Sequence, residues 1–190
     1  MEDARLALLP RLQGTRAAAG AAKRPADLSA DAEVFWELAG PHKKKLYNFI
    51  SKALSFSEQA DDVFQETLLR GWKYFGTYKK DRNFGTWLFA IAHNEVRRHL
   101  KAARRQDPLP LWEGLAVPDN GLRHYLVREV YLFAAGLKPR HKEIFFLFYD
   151  SGFSVQEISR ITGLREGNVK FILNRVRRTL RELLGEEHGK

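Results

Sequence analysis

Apolar residues recur at three- and four-residue spacing along most of the chain, which predicts amphipathic helices. One such stripe comprises Leu46, Phe49, Ile50, Ala53 and Leu54. Helix-favouring residues also dominate, with 20 Ala and 25 Leu against 9 Val, 6 Ile and 6 Thr. These patterns together predict an all-α fold.

Turn and capping residues divide the pattern into separate helices. We expect the first helix to begin at Ser29 or Asp31 and to be interrupted at Pro41. Asn83 is the expected N-cap of a long helix. The other predicted helices cover residues 46–54, 58–76, 84–104, 122–135, 140–149, 154–162 and 165–184.

Proline and glycine mark the domain boundaries. Residues 106–121, QDPLPLWEGLAVPDNG, contain three prolines and two glycines, so no helix is expected to cross them. We therefore predict two small helical domains, residues 31–105 and 122–190, joined by a flexible linker at 106–121. Residues 1–30 have no sustained period and are expected to form a flexible tail, with a transit peptide as the alternative.

Composition excludes several classes of protein. The 190 residues include no cysteine, which rules out disulfide scaffolds, thiolate zinc sites and cysteine nucleophiles. No apolar run exceeds six residues, so no integral membrane segment is expected. The net charge of +9 indicates a polyanionic partner, either nucleic acid or an anionic membrane surface.

The basic residues are sorted along the chain. Residues 71–105 hold nine basic and two acidic side chains, and residues 122–190 hold 13 and 8. Residues 31–70 hold five basic and seven acidic side chains, and residues 106–121 hold three acidic and no basic ones. This sorting predicts two basic surfaces rather than one evenly charged one.

The stretch SVQEISRITGLREGNVKFILNRVR, residues 154–177, has the features of a helix-turn-helix motif. Gly163 lies where the turn requires a left-handed backbone. The second helix of such a motif enters the major groove, where Arg and Asn side chains bond base edges. An ordinary helical hairpin with a solvated basic face is the alternative. The expected buried contacts are Ile158, Ile161, Leu164, Val169 and Ile172.

Aromatic and basic residues alternate between positions 73 and 87. Cations neutralise phosphates, and aromatic rings stack on unpaired bases at ~1–3 kcal/mol each, so this mixture suits single-stranded DNA. Core packing is the alternative, favoured for Phe75 and Phe84 and left open for Trp87. Tyr78 lies among polar residues and is expected to be exposed.

Signatures of catalysis are lacking. His93 and Glu95 echo the start of a zinc deaminase motif, but the required cysteines do not exist in this chain. There is no phosphate-binding GxxxxGK[ST] or GxGxxG pattern and no zinc-binding histidine pair. We therefore expect no enzyme activity, no catalytic residue, no metal site and no cofactor.

Three segments carry a family resemblance: DDVFQETLLRGW, FGTWLFAIAHNEVRRHL and LKPRHKEIFFLFYDSGFSVQEISRITGLREGNVKFILNRVRRTLRELL. In this order they resemble regions 2 and 4 of the extracytoplasmic-function (ECF, group IV) sigma factors of bacterial RNA polymerase. The resemblance covers residues 31–105 and 122–184. It implies a cytoplasmic specificity subunit that recognises promoters without hydrolysing nucleotides.

The resemblance also implies three binding surfaces. The segment DVFQE matches the helix that docks on the clamp helices of the largest polymerase subunit, with the contact residues Asp61, Asp62, Gln65, Glu66, Leu69 and Trp72. The following loop and helix match the part that opens and reads the minus-ten element, with Tyr78, Lys79, Lys80, Arg82, Asn83, Trp87, His93, Asn94, Arg97, Arg98 and Lys101. The last helix matches the minus-thirty-five reader, with Arg165, Glu166, Asn168, Lys170, Phe171, Asn174, Arg175 and Arg178.

The chain departs from the family at the last surface. Phe171 and Ile172 stand where members usually have a small residue and an arginine, whereas Lys170 and Arg175 are kept. Phe171 has two interpretations, contact with a thymine methyl or packing on neighbouring protein. Major-groove docking is therefore a firmer expectation than any one base contact.

The implied partners are core RNA polymerase, including the flap of its second-largest subunit, promoter DNA and an anti-sigma factor. Two other functions are considered: a stand-alone helix-turn-helix regulator and a membrane-surface protein. The polar helix at 61–72 discriminates between a sigma factor and the stand-alone regulator, because a regulator that does not bind polymerase has no need of this helix. The membrane-surface protein requires a broad apolar face that the recognition helix lacks.

Overall fold

The computed structural model describes residues 25–103 and 122–187, and these residues form helices and turns with no strand. The predicted all-α fold is confirmed. The expected tail lies outside the described residues up to position 24, as does the whole predicted linker. The helices are α1 (Pro25–Ala39), α2 (Lys43–Ala53), α3 (Ala60–Tyr74), α4 (Phe84–Ala103), α5 (Leu122–Gly136), α6 (Pro139–Tyr149), α7 (Val155–Thr162) and α8 (Glu166–Glu187).

Helices α1 to α4 form the first domain around a core of aromatic and aliphatic residues. Phe35, Phe49, Leu88 and Phe89 are fully buried in it. Gly71 of α3 allows close approach, because a Cβ at this position would lie 3.1 Å from Leu88 and 3.2 Å from Phe35. The stripe predicted in α2 is buried as expected.

Helices α5 to α8 form the second domain, in which α7 and α8 are the two helices of the helix-turn-helix. Gly163 ends α7 with φ of +70°, the left-handed conformation that the sequence predicts. The hydroxyl of Ser159 donates to the carbonyl of Leu164 and fastens the turn. All five residues predicted to be buried in this motif are buried.

Three helix starts differ from the prediction by two or more residues, including that of α2, which begins at Lys43 rather than at position 46. Helix α1 begins at Pro25, earlier than Ser29 or Asp31, because proline is well tolerated in the first helical turn. Helix α3 begins at Ala60 rather than near Glu58. By contrast, Asn83 caps α4 as predicted, accepting a hydrogen bond from the Thr86 amide at 2.9 Å.

The two domains contact each other through α2 and α4 on one side and α6 and α7 on the other. The rings of Phe89 and Phe153 meet at 4.7 Å between centroids. Polar pairs accompany this contact: His93 with Glu143, Lys52 with Asp150, Lys142 with Ser55, and Thr86 with Glu157.

One part of the domain contact rests on an unusual turn. Ser55 and Phe56 follow α2 with φ of 57° and 62°, a left-handed conformation that residues other than glycine seldom adopt. The turn presents the Ser55 hydroxyl to the Lys142 ammonium at 2.7 Å. Burial lowers the pKa of Lys142, and this hydrogen bond compensates part of its lost hydration.

Candidate functional site: three helical surfaces

Helix α3 exposes a mixed polar and apolar edge. Asp61, Asp62 and Gln65 are exposed, and Leu69 is 62% exposed, an unusual position for a leucine in a helix whose other face is buried. Trp72, by contrast, packs into the first domain, with its ring 5.8 Å from that of Phe35. Four of the six residues predicted to contact polymerase are therefore exposed on this edge, whereas Glu66 and Trp72 are half-buried.

Ion pairs join α3 to α4 beside this edge. Arg70 donates to Glu66 at 2.7 Å and reaches Glu95 of α4 at 3.1 Å, while Arg98 contacts both carboxylates. The hydrogen bond from Arg70 lowers the pKa of Glu66, whereas burial raises the pKa of Glu95. Glu66 and Arg98, predicted to contact polymerase and DNA, thus also hold two helices together.

The loop between α3 and α4 contains an aromatic cluster. The Tyr78 ring lies 5.1 Å from Phe84 and 5.5 Å from Trp87, and its hydroxyl donates to the Arg82 carbonyl at 2.7 Å. Tyr78 is therefore half-buried, which corrects the expectation that it is exposed. Trp87 is half-buried as well. The cations predicted here remain exposed: Lys79, Lys80 and Arg82.

The second half of α4 carries the rest of the predicted minus-ten surface. Arg97 and Lys101 are exposed one helical turn apart. Asn94 is half-buried, and its amide donates to the Ala90 carbonyl at 2.9 Å. His93 is only 5% exposed and is paired with Glu143 of the second domain. In this arrangement the domain contact keeps His93 out of solvent, so its predicted contact with DNA requires the two domains to separate.

All eight residues of the predicted minus-thirty-five surface are exposed to solvent, seven of them on α8 and Arg165 directly before it. The opposite side of α8 is buried against the domain through Val169, Ile172, Leu173 and Val176. Ile172, at the position where the resemblance implies an arginine, is therefore a core residue. The exposed residues are Arg165, Glu166, Asn168, Lys170, Phe171, Asn174, Arg175 and Arg178.

The polar residues of the domain contact escaped the sequence analysis. Lys142 and Glu143 directly precede the apolar run at 144–149, and both are less than a tenth exposed. Charged residues directly before an uninterrupted apolar run in the same helix are the signal that could have marked them. Their partners lie 87 and 50 positions away, which no local pattern reveals.

The described residues hold no group of three or more histidine, aspartate or glutamate side chains placed to bind a metal ion. Over the same part of the chain, no helix combines the length and apolar character needed to cross a bilayer.

Comparison with known proteins identifies both domains. The family model for Sigma-70 region 2 matches residues 38–106, and that for Sigma-70, region 4 matches residues 128–180. These matches fall on α2 to α4 and on most of α5 to α8. The chain thus carries the two regions in the order that the sequence indicated.

Relatives with assigned names agree with this result. The ECF RNA polymerase sigma factor BldN of Streptomyces coelicolor is 30% identical over 84% of this chain and 63% of its own length. EcfG of Rhodopseudomonas palustris, also an ECF sigma factor, is 30% identical over 67% of this chain and 72% of its own length.

The fold itself has solved counterparts. The sigma factor RpoE of Bartonella quintana, crystallised with the anti-sigma factor NepR, has a TM-score of 0.62 and 24% identity. That match covers 79% of this chain and 98% of RpoE. The chain contains both sigma regions in order and is 30% identical to a named ECF sigma factor, and its fold matches that of a solved sigma factor. The chain therefore belongs to the ECF family of RNA polymerase sigma factors.

Proposed function

We propose that the protein is an alternative sigma factor that binds core RNA polymerase and directs transcription initiation from promoters with minus-ten and minus-thirty-five elements. The observation that carries this proposal is the presence of two separate exposed basic surfaces, on the α3–α4 region and on α8, in one chain. A single duplex-binding module needs only one of them.

Helix α3 supplies the proposed contact with polymerase. Its exposed edge combines carboxylates, an amide and the side chain of Leu69, a mixture that suits protein rather than phosphate. We place the clamp helices of the largest subunit against this edge. The flap of the second-largest subunit is the proposed partner of the second domain.

The loop at 78–83 and helix α4 supply the proposed minus-ten surface. Exposed Lys79, Lys80 and Arg82 can neutralise phosphates around the aromatic cluster of Tyr78, Phe84 and Trp87. Because these rings already pack on one another, a flipped base would stack on the edge of a preformed cluster. Its unpairing cost of a few kcal/mol would be offset by that stacking and by phosphate contacts.

Helix α8 supplies the proposed minus-thirty-five reader. Asn168, Asn174 and Arg175 are exposed on a helix that the turn at Gly163 sets against α7. Their amide and guanidinium groups are the donors and acceptors that discriminate base edges in the major groove. Arg178 and Lys170 add phosphate contacts and a strong dependence on salt.

Regulation by an anti-sigma factor and a cytoplasmic location complete the proposal. Support for the first comes from the structural counterpart RpoE, which is bound to an anti-sigma factor. The second follows from the need to reach polymerase and chromosomal DNA.

The test is run-off transcription from genomic DNA with core polymerase and the purified full-length protein. We expect transcripts that share a bipartite upstream motif and that disappear when either component is omitted. Sequence-specific DNA binding that is unchanged by core polymerase, with no transcripts, would instead identify a stand-alone regulator and overturn the proposal.

A further inference from the structure

Phe171 is the most exposed large apolar side chain in the part of the chain that the structure describes, at 64%. It lies on α8 on the side away from the buried residues of the helix-turn-helix. Residues three and four positions apart share a helix face, so Phe171 is flanked by Asn168, Asn174 and Arg175, all exposed. One turn earlier, Gly167 has no side chain to cover the ring, and the space at that position is open.

The fold does not need this phenylalanine. Val169, Ile172, Leu173 and Val176 already provide the apolar contacts that hold α8 to its domain, and each is at most 7% exposed. An aromatic ring surrounded by hydrogen-bonding groups gains from a partner that offers an apolar group among polar ones. The exposed ring of Phe171 therefore indicates that α8 binds a partner with an apolar group among polar ones.

The charges around Phe171 identify that partner as DNA. Lys170, Arg175 and Arg178 are exposed on the same helix. Between positions 166 and 178 of α8, Glu166 is the only acidic residue. The major groove presents one apolar group among its donors and acceptors, which is the C5 methyl of thymine. Amide and guanidinium groups beside an apolar ring match a thymine next to bases that are read by hydrogen bonds.

We propose that Phe171 packs on the C5 methyl of a thymine and thereby makes thymine the preferred base at one position of the minus-thirty-five element. The inference rests on the proposed function and adds a specificity determinant to it. The ring forms no hydrogen bond, so it discriminates by the methyl alone. Asn168, Asn174 and Arg175 set the position of the ring by their own contacts to neighbouring bases.

The first experiment selects upstream elements from a randomised duplex library with the holoenzyme assembled from core polymerase and the full-length protein. We expect one position with enriched thymine for the wild type. Phe171→Ala should lose the enrichment at that position alone, and Phe171→Leu should keep part of it. Val34→Ala, which removes an exposed apolar side chain from α1, is the matched control and should select the wild-type element.

The second experiment replaces the selected thymine with deoxyuridine, which removes only the methyl group. We expect the wild-type holoenzyme to bind about fourfold more weakly, because one buried methyl contributes ~0.8 kcal/mol. Phe171→Ala should bind the two duplexes equally. An equal uracil penalty in both proteins would overturn the inference.

Two further outcomes separate the inference from its premise. Weaker binding of Phe171→Ala to core polymerase in the absence of DNA would assign the ring to a protein contact and overturn the thymine contact. A wild-type holoenzyme that transcribes but shows no thymine preference would also overturn it while leaving the proposed function intact. Failure of the wild type to initiate at all would count against the proposed function.

Discussion

Ser154 and Glu157 fix the start of the helix-turn-helix by reciprocal hydrogen bonds. The Glu157 amide donates to the Ser154 hydroxyl at 3.2 Å, and the Ser154 amide donates to the Glu157 carboxylate at 2.9 Å. These bonds satisfy amides that the first turn of α7 leaves without partners. Two side chains thereby set where α7 begins and hence how α8 is presented.

Removing this cap should destabilise the second domain. We expect Ser154→Ala to lower the free energy of unfolding by about 1 kcal/mol, because the Glu157 amide loses its acceptor. Urea denaturation followed by circular dichroism measures the change. Gln156→Ala, at an exposed position of the same helix, is the control and should shift stability by less than about 0.5 kcal/mol. Equal effects of the two changes would show that the cap contributes nothing.

The same pair should make stability depend on pH. Partial burial tends to raise the pKa of Glu157, but the hydrogen bonds from Ser154 outweigh it and the pKa lies below its usual value. A lowered pKa in the folded state means that ionised Glu157 favours folding above the pKa of the unfolded chain. This contribution disappears as the pH falls through the folded pKa. We expect Glu157→Gln to flatten the acid limb of the stability profile, measured by urea denaturation between about pH 6 and 3.

At the scale of the element, sequence patterns were sufficient wherever the determining contacts are local. Gly163, the Asn83 cap and the stripe of α2 depend on residues within a few positions of one another. The predicted exposure of Tyr78 was wrong, because its ring packs on Phe84 and Trp87. The burial of His93 was not predicted, because it depends on Glu143 of the second domain. Exposure set by tertiary contacts does not follow from helical periodicity.

The exposed edge of α3 can be tested by itself. We expect Gln65→Ala combined with Leu69→Ala to weaken binding to core polymerase at least tenfold, because both side chains are exposed and neither stabilises the first domain. Pull-down titration with purified core enzyme measures the affinity. Gln156→Ala is the control on the other domain. Unchanged affinity with an intact melting curve would contradict the docking role of α3.

At the scale of the whole molecule, the main feature is the contact between the domains. It combines the Phe89 and Phe153 rings with ionisable pairs that lie largely out of water. Lys52 adds a second polar group of this kind, with its ammonium 3.0 Å from the Tyr131 hydroxyl and paired with Asp150. Buried polar pairs of this kind favour one alignment of the domains, because a shifted alignment would leave charges unpaired.

Breaking the central pair should therefore be costly. We expect Glu143→Ala to lower the free energy of unfolding by about 3 kcal/mol, because His93 loses its partner in a buried site. Glu182→Ala removes an exposed pair with Arg178 at 3.8 Å and should cost less than about 1 kcal/mol. Urea denaturation of the full chain compares the two. Similar small losses would show that the domains do not associate through His93 and Glu143 in solution.

The contact between the domains bears on how long the protein remains on DNA. If it opens, the halves stay covalently joined by the 18 residues 104–121, which reach at most about 65 Å when fully extended. When one domain dissociates from its DNA site while the other stays bound, the linker keeps the free domain near that site at an effective concentration on the order of millimolar. Release of the whole molecule requires both halves to dissociate together, so its residence time would far exceed that of either half alone.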